Sequence, residues 1–98
     1  MGEVVATEPM SQQILEKLFD SPVKLRLLKL FLRNPEDKFS LADMRERTLL
    51  ETLKIKKELQ KLEDIKLVKS FKKRGVAGKL YFLNTKFLFI KELQNLIL

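Results

Sequence analysis

The apolar residues of the chain fall into short segments with helical spacing, separated by polar turns. The first such segment, QQILEKLF at residues 12–19, places apolar side chains at positions 14, 15, 18 and 19. This spacing predicts a short amphipathic helix that packs on the domain. The preceding residues 1–11 lack such a pattern, and we expect them to form a flexible N-terminal tail.

The segment PVKLRLLKLFLR predicts the central helix of the domain, because it is apolar on most of its sides. Ser21 is a suitable N-cap, since a serine hydroxyl accepts a hydrogen bond from a backbone N–H of the first turn. Pro22 suits the first helical position, where no N–H is needed. Asn34 and Pro35 end the pattern.

Two further helices are predicted after a polar turn. Ser40 and Asp43 form a weak capping box, which opens a short helix over residues 41–47. A third helix follows over residues 52–63, where Ile55, Leu59 and Leu62 recur at spacings of four and three and should face the core. The opposite arc should face outward, and it carries Leu53, Lys56, Lys57, Gln60 and Lys61.

The last third of the chain predicts a β-hairpin and a final helix. The strand-like segments LVKSFKK and KLYFL flank the glycine-containing loop RGVAG, which gives a hairpin over residues 67–83. We expect Phe71, Tyr81 and Phe82 on the core face of this hairpin, with stacking on single-stranded bases as the alternative. Asn84 and Thr85 can cap an apolar helix over residues 86–97. The predicted class is therefore α+β, mainly helical.

Composition restricts the chemistry of this domain. The chain contains neither cysteine nor histidine, which removes thiolate and imidazole metal sites, Ser-His-Asp triads and disulfides. We therefore expect no enzymatic activity, no metal and no cofactor, and no small-molecule pocket is evident. The acidic N-terminus and the lack of a long apolar run predict an intracellular protein in the cytoplasm.

The positive charge is concentrated in one quarter of the sequence. The net charge is +7, yet residues 1–53 carry −1 and residues 54–79 carry +7, with ten lysines or arginines against three acidic residues. A contiguous basic segment is typical of a surface that binds a polyanion. The alternative is a lysine-rich surface that only aids solvation.

The order of these elements and several short motifs resemble the winged helix-turn-helix fold. The motifs are LF-x-S before the central helix, LLKLFL within it, NPE-x-x-F after it, L-x-KLE-x-x-x-LV leading into the hairpin, and LN before the last helix. They are similar to those of small bacterial and archaeal winged-helix transcriptional regulators of the MarR and ArsR groups, and of modules found beside nucleotidyltransferase domains. The resemblance covers residues 13–98, and it includes additional N- and C-terminal helices.

The resemblance implies a DNA-binding domain with a recognition helix over residues 52–63 and a basic wing over residues 67–83. The recognition helix would present Thr52, Leu53, Lys56, Lys57, Gln60 and Lys61 to the major groove, and the wing would present Lys72, Lys73, Arg74 and Lys79 to the DNA backbone. The sequence departs from the family pattern at two positions. Leu49 occupies a turn position where glycine is common, and Glu51 stands where Ser or Asp would cap the recognition helix.

The proposed DNA contacts follow from side-chain chemistry. Gln60 can bond bidentately to adenine, and Lys56 and Lys57 can reach guanine acceptors or phosphates. Lysine is a point charge without the planar fork of arginine, which predicts modest sequence specificity. Three interpretations of Leu53 remain open: contact with a thymine methyl, contact with a partner protein, or a partly buried position beneath Leu49.

The sequence leaves two further alternatives open. The domain is either a regulator that binds double-stranded DNA or a winged-helix protein-interaction module, or accessory subunit, that uses Leu49, Leu50 and Leu53 as a hydrophobic tip. The terminal helices either form a homodimer interface or cover the core of one domain. The candidate interface residues are Ile14, Leu18, Leu93, Leu96 and Ile97.

Overall fold

Residues 20–97, the part of the chain that the computed structural model describes, form four α-helices and a three-stranded antiparallel sheet. The predicted tail and the predicted helix at residues 12–19 lie outside the described residues. In chain order, the elements are α1 (Pro22–Arg33), β1 (Lys38–Phe39), α2 (Leu41–Thr48), α3 (Thr52–Asp64), β2 (Val68–Lys72), β3 (Lys79–Leu83) and α4 (Ile90–Ile97).

Helix α1 is the centre of the domain, as its apolar pattern predicts. The Ser21 hydroxyl accepts a hydrogen bond from the Lys24 N–H, and Pro22 occupies the first turn. At the other end the Asn34 side chain donates to the Leu30 carbonyl at 2.8 Å. Helix α1 packs against each of the other three described helices and against β3. Its contribution to the core consists of Leu27, Leu28, Phe31 and Leu32.

Helices α2 and α3 are joined by the three-residue turn 49–51. The predicted capping box is present at the start of α2, where the Ser40 hydroxyl accepts from the Asp43 N–H and the Asp43 carboxylate accepts from the Ser40 N–H. At its end, Leu49 adopts a left-handed conformation with φ of 60°. The sequence departure at this position therefore places a side chain where the backbone favours glycine.

Helix α3 buries the predicted apolar stripe and runs one residue beyond its predicted end. Ile55, Leu59 and Leu62 are all buried, so their prediction as core residues is confirmed. Glu51 occupies the N-cap position of α3 but makes no side-chain capping hydrogen bond. The start of this helix therefore lacks the stabilisation that Ser or Asp gives there.

The sheet has the strand order β1-β3-β2, and its two faces are not equivalent. Val68 pairs with Leu83, and Ser70 pairs with Tyr81, on the face turned to the core. Phe71 and Phe82 lie on the other face, because successive side chains of a strand point to opposite sides. The expectation that Phe71 and Phe82 face the core is wrong. Phe71 is 37% exposed, and its ring packs edge-on against that of Phe82 at 5.9 Å.

The last helix begins at Ile90, four residues later than predicted. Asn84 does not cap this helix; its side chain accepts from the Lys86 N–H and donates to the Lys66 carbonyl instead. Turns at residues 84–89 carry the chain to α4, where Leu93 is fully buried. Leu93, a candidate residue for a dimer interface, therefore has its side chain in the core of its own domain.

Replacing Leu49 with glycine should stabilise the domain. Glycine adopts the left-handed conformation without the steric cost of a Cβ atom, which is about 1–2 kcal/mol, and this gain is partly offset by the greater entropy of the unfolded chain. We expect the free energy of unfolding in urea to rise by about 0.5–1 kcal/mol. Leu49→Ala is the control, since it removes the apolar atoms beyond Cβ but keeps Cβ itself. Equal stability of the Leu49→Gly and Leu49→Ala variants would contradict this account.

Candidate nucleic-acid interface

The outward face of α3 carries the side chains that the sequence predicts for DNA contact. Lys56, Lys57, Gln60 and Lys61 are all exposed, and Leu53 is 78% exposed. This exposure rules out the interpretation of Leu53 as a partly buried tip. Thr52, at the first position of the helix, is half-buried. The predicted face is therefore accessible along its length, except at Thr52.

Some polar side chains of this face already form hydrogen bonds or ion pairs within the protein, and others do not. The Gln60 amide donates to the Asp64 carboxylate at 3.0 Å, so it must break this hydrogen bond before it can read a base. The Lys61 ammonium lies 3.6 Å from the Glu58 carboxylate. Lys56 and Lys57 form no ion pair with any residue in the range 20–97, and this leaves both ammoniums available for phosphate oxygens.

The hairpin tip adds a second group of cations. The loop turns through Gly75 and Gly78, whose φ values of 84° and 76° lie in the left-handed region. No carboxylate of the described residues pairs with the basic side chains around this loop, and all of them are exposed: Lys72, Lys73, Arg74 and Lys79. Together with Lys56 and Lys57, they form what we call the basic surface.

The hairpin is fixed to α3 by hydrogen bonds at the base of the strands. The Ser70 hydroxyl donates to the Glu63 carboxylate at 2.9 Å, and the Leu67 N–H donates to the Leu62 carbonyl at 3.0 Å. Burial raises the pKa of the Tyr81 phenol, and the negative charge of Glu63 adds to this shift. The two hydrogen bonds hold the base of the hairpin against the C-terminal end of α3.

A buried ion pair links α3 to α1. The Lys24 ammonium lies 3.8 Å from the Glu58 carboxylate, and both residues are buried. Lys24 also donates to Asp20 at 2.8 Å, and this hydrogen bond lowers the pKa of the Asp20 carboxyl. The sequence pattern predicts the apolar stripe of α3 but not this pair, since Glu58 looks like a solvent-facing residue in a helix rich in lysine.

The turn between α2 and α3 presents apolar side chains rather than the glycine of the family pattern. Leu49 is 86% exposed, whereas Leu50 is half-buried and packs on the core. The Glu51 carboxylate lies 3.6 Å from the Lys54 ammonium, which partly offsets the negative charge of Glu51. Leu49 and Leu53 therefore stand exposed at the leading end of α3, next to the lysines.

A separate basic groove between α1 and α2 was not foreseen from the sequence, because the first half of the chain is slightly acidic overall. Its basic lining residues are Arg26, Lys29, Arg33 and Arg47. In the sequence, the groove could have been found from the spacing of Arg26, Lys29 and Arg33 by three and four residues, which puts them on one face of a helix. The contribution of Arg47 depends on how α2 packs on α1.

The described residues offer neither a metal site nor a membrane span. Between residues 20 and 97 no three acidic side chains come close enough to hold a metal ion. No helix in that range is long and apolar enough to cross a membrane. Comparisons with protein-family models, with curated proteins and with solved structures gave no significant match. Any assignment of function therefore depends on the residues and geometry of this chain.

Ser70→Ala should loosen the hairpin from α3. The hydroxyl of Ser70 donates to a carboxylate, and such a charge-assisted hydrogen bond contributes about 1.5–3 kcal/mol when it is buried. Because this one is partly exposed, we expect the free energy of unfolding to fall by about 1–2 kcal/mol. Ser70→Thr keeps the hydroxyl and serves as the control. If Ser70→Thr lost as much stability as Ser70→Ala, that result would contradict the role assigned to this hydrogen bond.

Proposed function

We propose that this protein is a winged helix-turn-helix transcriptional regulator that binds double-stranded DNA. In this assignment α2 and α3 are the helix-turn-helix, α3 is the recognition helix and the β2–β3 hairpin is the wing. The observation that carries the proposal is the basic surface, in which six exposed cations on α3 and the adjoining hairpin lack ion-pair partners among the described residues. We place the protein in the cytoplasm, associated with the nucleoid.

The dimensions and chemistry of α3 support docking in the major groove. The groove of B-DNA, about 12 Å wide, admits an α-helix. The apolar stripe of α3 is buried, so the face with Lys56, Lys57 and Gln60 is the one that can enter. The hairpin, held to α3 by Ser70 and Glu63, then brings its own cations to the neighbouring phosphates. Gln60 provides the bidentate amide on this face, whereas its lysines lack the planar fork of arginine, so specificity should be modest.

The exposed leucines favour a second candidate function. Leu49 and Leu53 are the most exposed large apolar side chains among the described residues, and Leu49 is held in a strained backbone conformation. Exposed apolar side chains often mark a surface that binds protein. The alternative is therefore a protein-interaction module whose hydrophobic tip is Leu49, Leu50 and Leu53. Lys56 and Lys57 follow Leu53 on α3, and together with the four hairpin cations they lack ion-pair partners among the described residues, which makes DNA the better-supported partner.

We also propose that the chain forms a homodimer through its terminal helices. Leu88 and Leu96 are 76% and 60% exposed at the C-terminal end, and Ile97 is half-buried. The candidate residues Ile14 and Leu18 lie outside the described residues. A dimer of this kind places two recognition helices about 34–36 Å apart, one turn of DNA. Sedimentation as a monomer at micromolar concentration would argue that α4 only covers the core.

The double variant Lys56→Ala/Lys57→Ala should weaken duplex binding to all sequences alike. If the basic surface neutralises about six phosphates, the affinity of the unchanged protein falls with salt at a log–log slope of about −5, and losing two phosphate contacts reduces the magnitude of that slope by about 2. The measurement is fluorescence anisotropy with random-sequence duplexes over a range of salt concentrations. The matched control is Lys86→Ala/Lys91→Ala, which removes the same charge from exposed positions near α4.

Two results distinguish the candidate functions. Equal loss of affinity in both double variants would mean that only total charge matters, and it would contradict the assigned interface. Duplex binding that does not respond to salt, together with a stoichiometric protein partner that is lost on Leu53→Ala, would replace the DNA proposal with the protein-interaction module.

A further inference from the structure

The groove between α1 and α2 gathers four basic side chains from two helices. Arg26, Lys29 and Arg33 recur at spacings of three and four, so they lie on one face of α1. Arg47 joins them from the last turn of α2, and the uncharged lining residues are Leu30, Asn34 and Thr48. No carboxylate is among the residues that line this groove. Its local charge is therefore strongly positive, although the surrounding sequence is not basic.

This groove lies on the side of α1 that faces away from α3. Lys24 marks the side that meets α3, through its ion pair with Glu58. At about 100° per residue, the three basic positions of α1 are about 140–200° around the helix from Lys24. A duplex docked on the outward face of α3 is thus separated from the groove by the core of the domain.

The cations of the groove are partly preorganised and are not neutralised. The Arg26 guanidinium donates to the Thr48 carbonyl at 3.2 Å, and that of Arg47 lies 5.1 Å from the centroid of the Phe39 ring. Lys29 and Arg33 form no ion pair with any residue that the structure describes. Like charges four residues apart on a helix repel each other, so an anion between them removes an unfavourable interaction.

We propose that this groove is a second binding site, distinct from the basic surface, for two or more adjacent phosphate groups. Arginine binds phosphate oxygens through parallel N–H donors, and three arginines together with a lysine suit two or more adjacent negative charges better than a single carboxylate. Two sources carry this chemistry: a free nucleoside polyphosphate, and the backbone of a second DNA segment. The first would make the site an effector site, and the second would let one domain bridge two duplexes.

The experiment compares the unchanged chain with Lys29→Ala/Arg33→Ala, leaving Arg26 in place because it also holds the end of α2. Lys86→Ala/Lys91→Ala is again the charge-matched control. The first arm uses pyrophosphate as the probe and measures the thermal unfolding midpoint against sodium chloride of equal ionic strength. We expect pyrophosphate to raise the midpoint of the unchanged chain and of the control, and its apparent Kd to rise at least about tenfold in the groove variant.

The second arm tests the DNA source. A duplex immobilised on beads captures the protein, and a second, labelled duplex is then added. If the groove binds DNA, the groove variant retains the labelled duplex less well than the control, while its affinity for a single duplex stays unchanged. The pyrophosphate arm needs no DNA binding, so it separates failure of this proposal from failure of the proposed function.

Each remaining outcome overturns the second site. One is that the groove variant matches the control in both arms. Another is that it loses single-duplex affinity as fully as Lys56→Ala/Lys57→Ala, which would make the groove part of the same interface.

Discussion

The burial of one apolar stripe of α3 against α1 determines the rest of the structure. Ile55, Leu59 and Leu62 contribute to a core whose other half is the apolar side of α1. Complete burial of each such side chain contributes about 1.5–3 kcal/mol, several times the free energy of an exposed ion pair. Exposing the apolar stripe to solvent would cost more than any ion pair could return. The stripe therefore faces the core, and the lysines on the opposite side of α3 face solvent. The Lys24–Glu58 pair adds a polar contact between the two helices.

The region proposed to contact DNA is also the region where local stabilisation is weakest. Leu49 holds a conformation suited to glycine, Glu51 leaves the start of α3 without a side-chain cap, and Leu53 exposes its side chain to water. In contrast, α1 and the start of α2 have complete caps. Departures from local preference concentrate at functional sites in many proteins. Here they mark the turn and the first residues of α3 as positions where stability is not the main requirement.

The features predictable from sequence are those set by neighbouring residues. The caps at Ser21 and Ser40, the stripe of α3 and the exposed lysines depend on local spacing, and the structure confirms them. The misplaced features have different causes. Strand alternation alone puts Tyr81 and Phe82 on opposite faces, and Phe71 lies on the face of Phe82. The Asn84 side chain donates to the Lys66 carbonyl instead of capping the last helix, a contact that no local spacing reveals. The basic groove requires two helices to pack, so no single stretch of sequence reveals it.

The most direct test of the central claim is an NMR titration of the uniformly ¹⁵N-labelled chain with a short DNA duplex. The account predicts that the largest amide shift changes fall on residues 53–61 of α3 and residues 72–79 of the hairpin. Residues 88–97 should change little when the molar ratio and salt are held fixed. Shift changes concentrated on residues 88–97, or a spectrum that does not respond to the duplex at low salt, would contradict the claim that α3 and the hairpin form the DNA-binding surface.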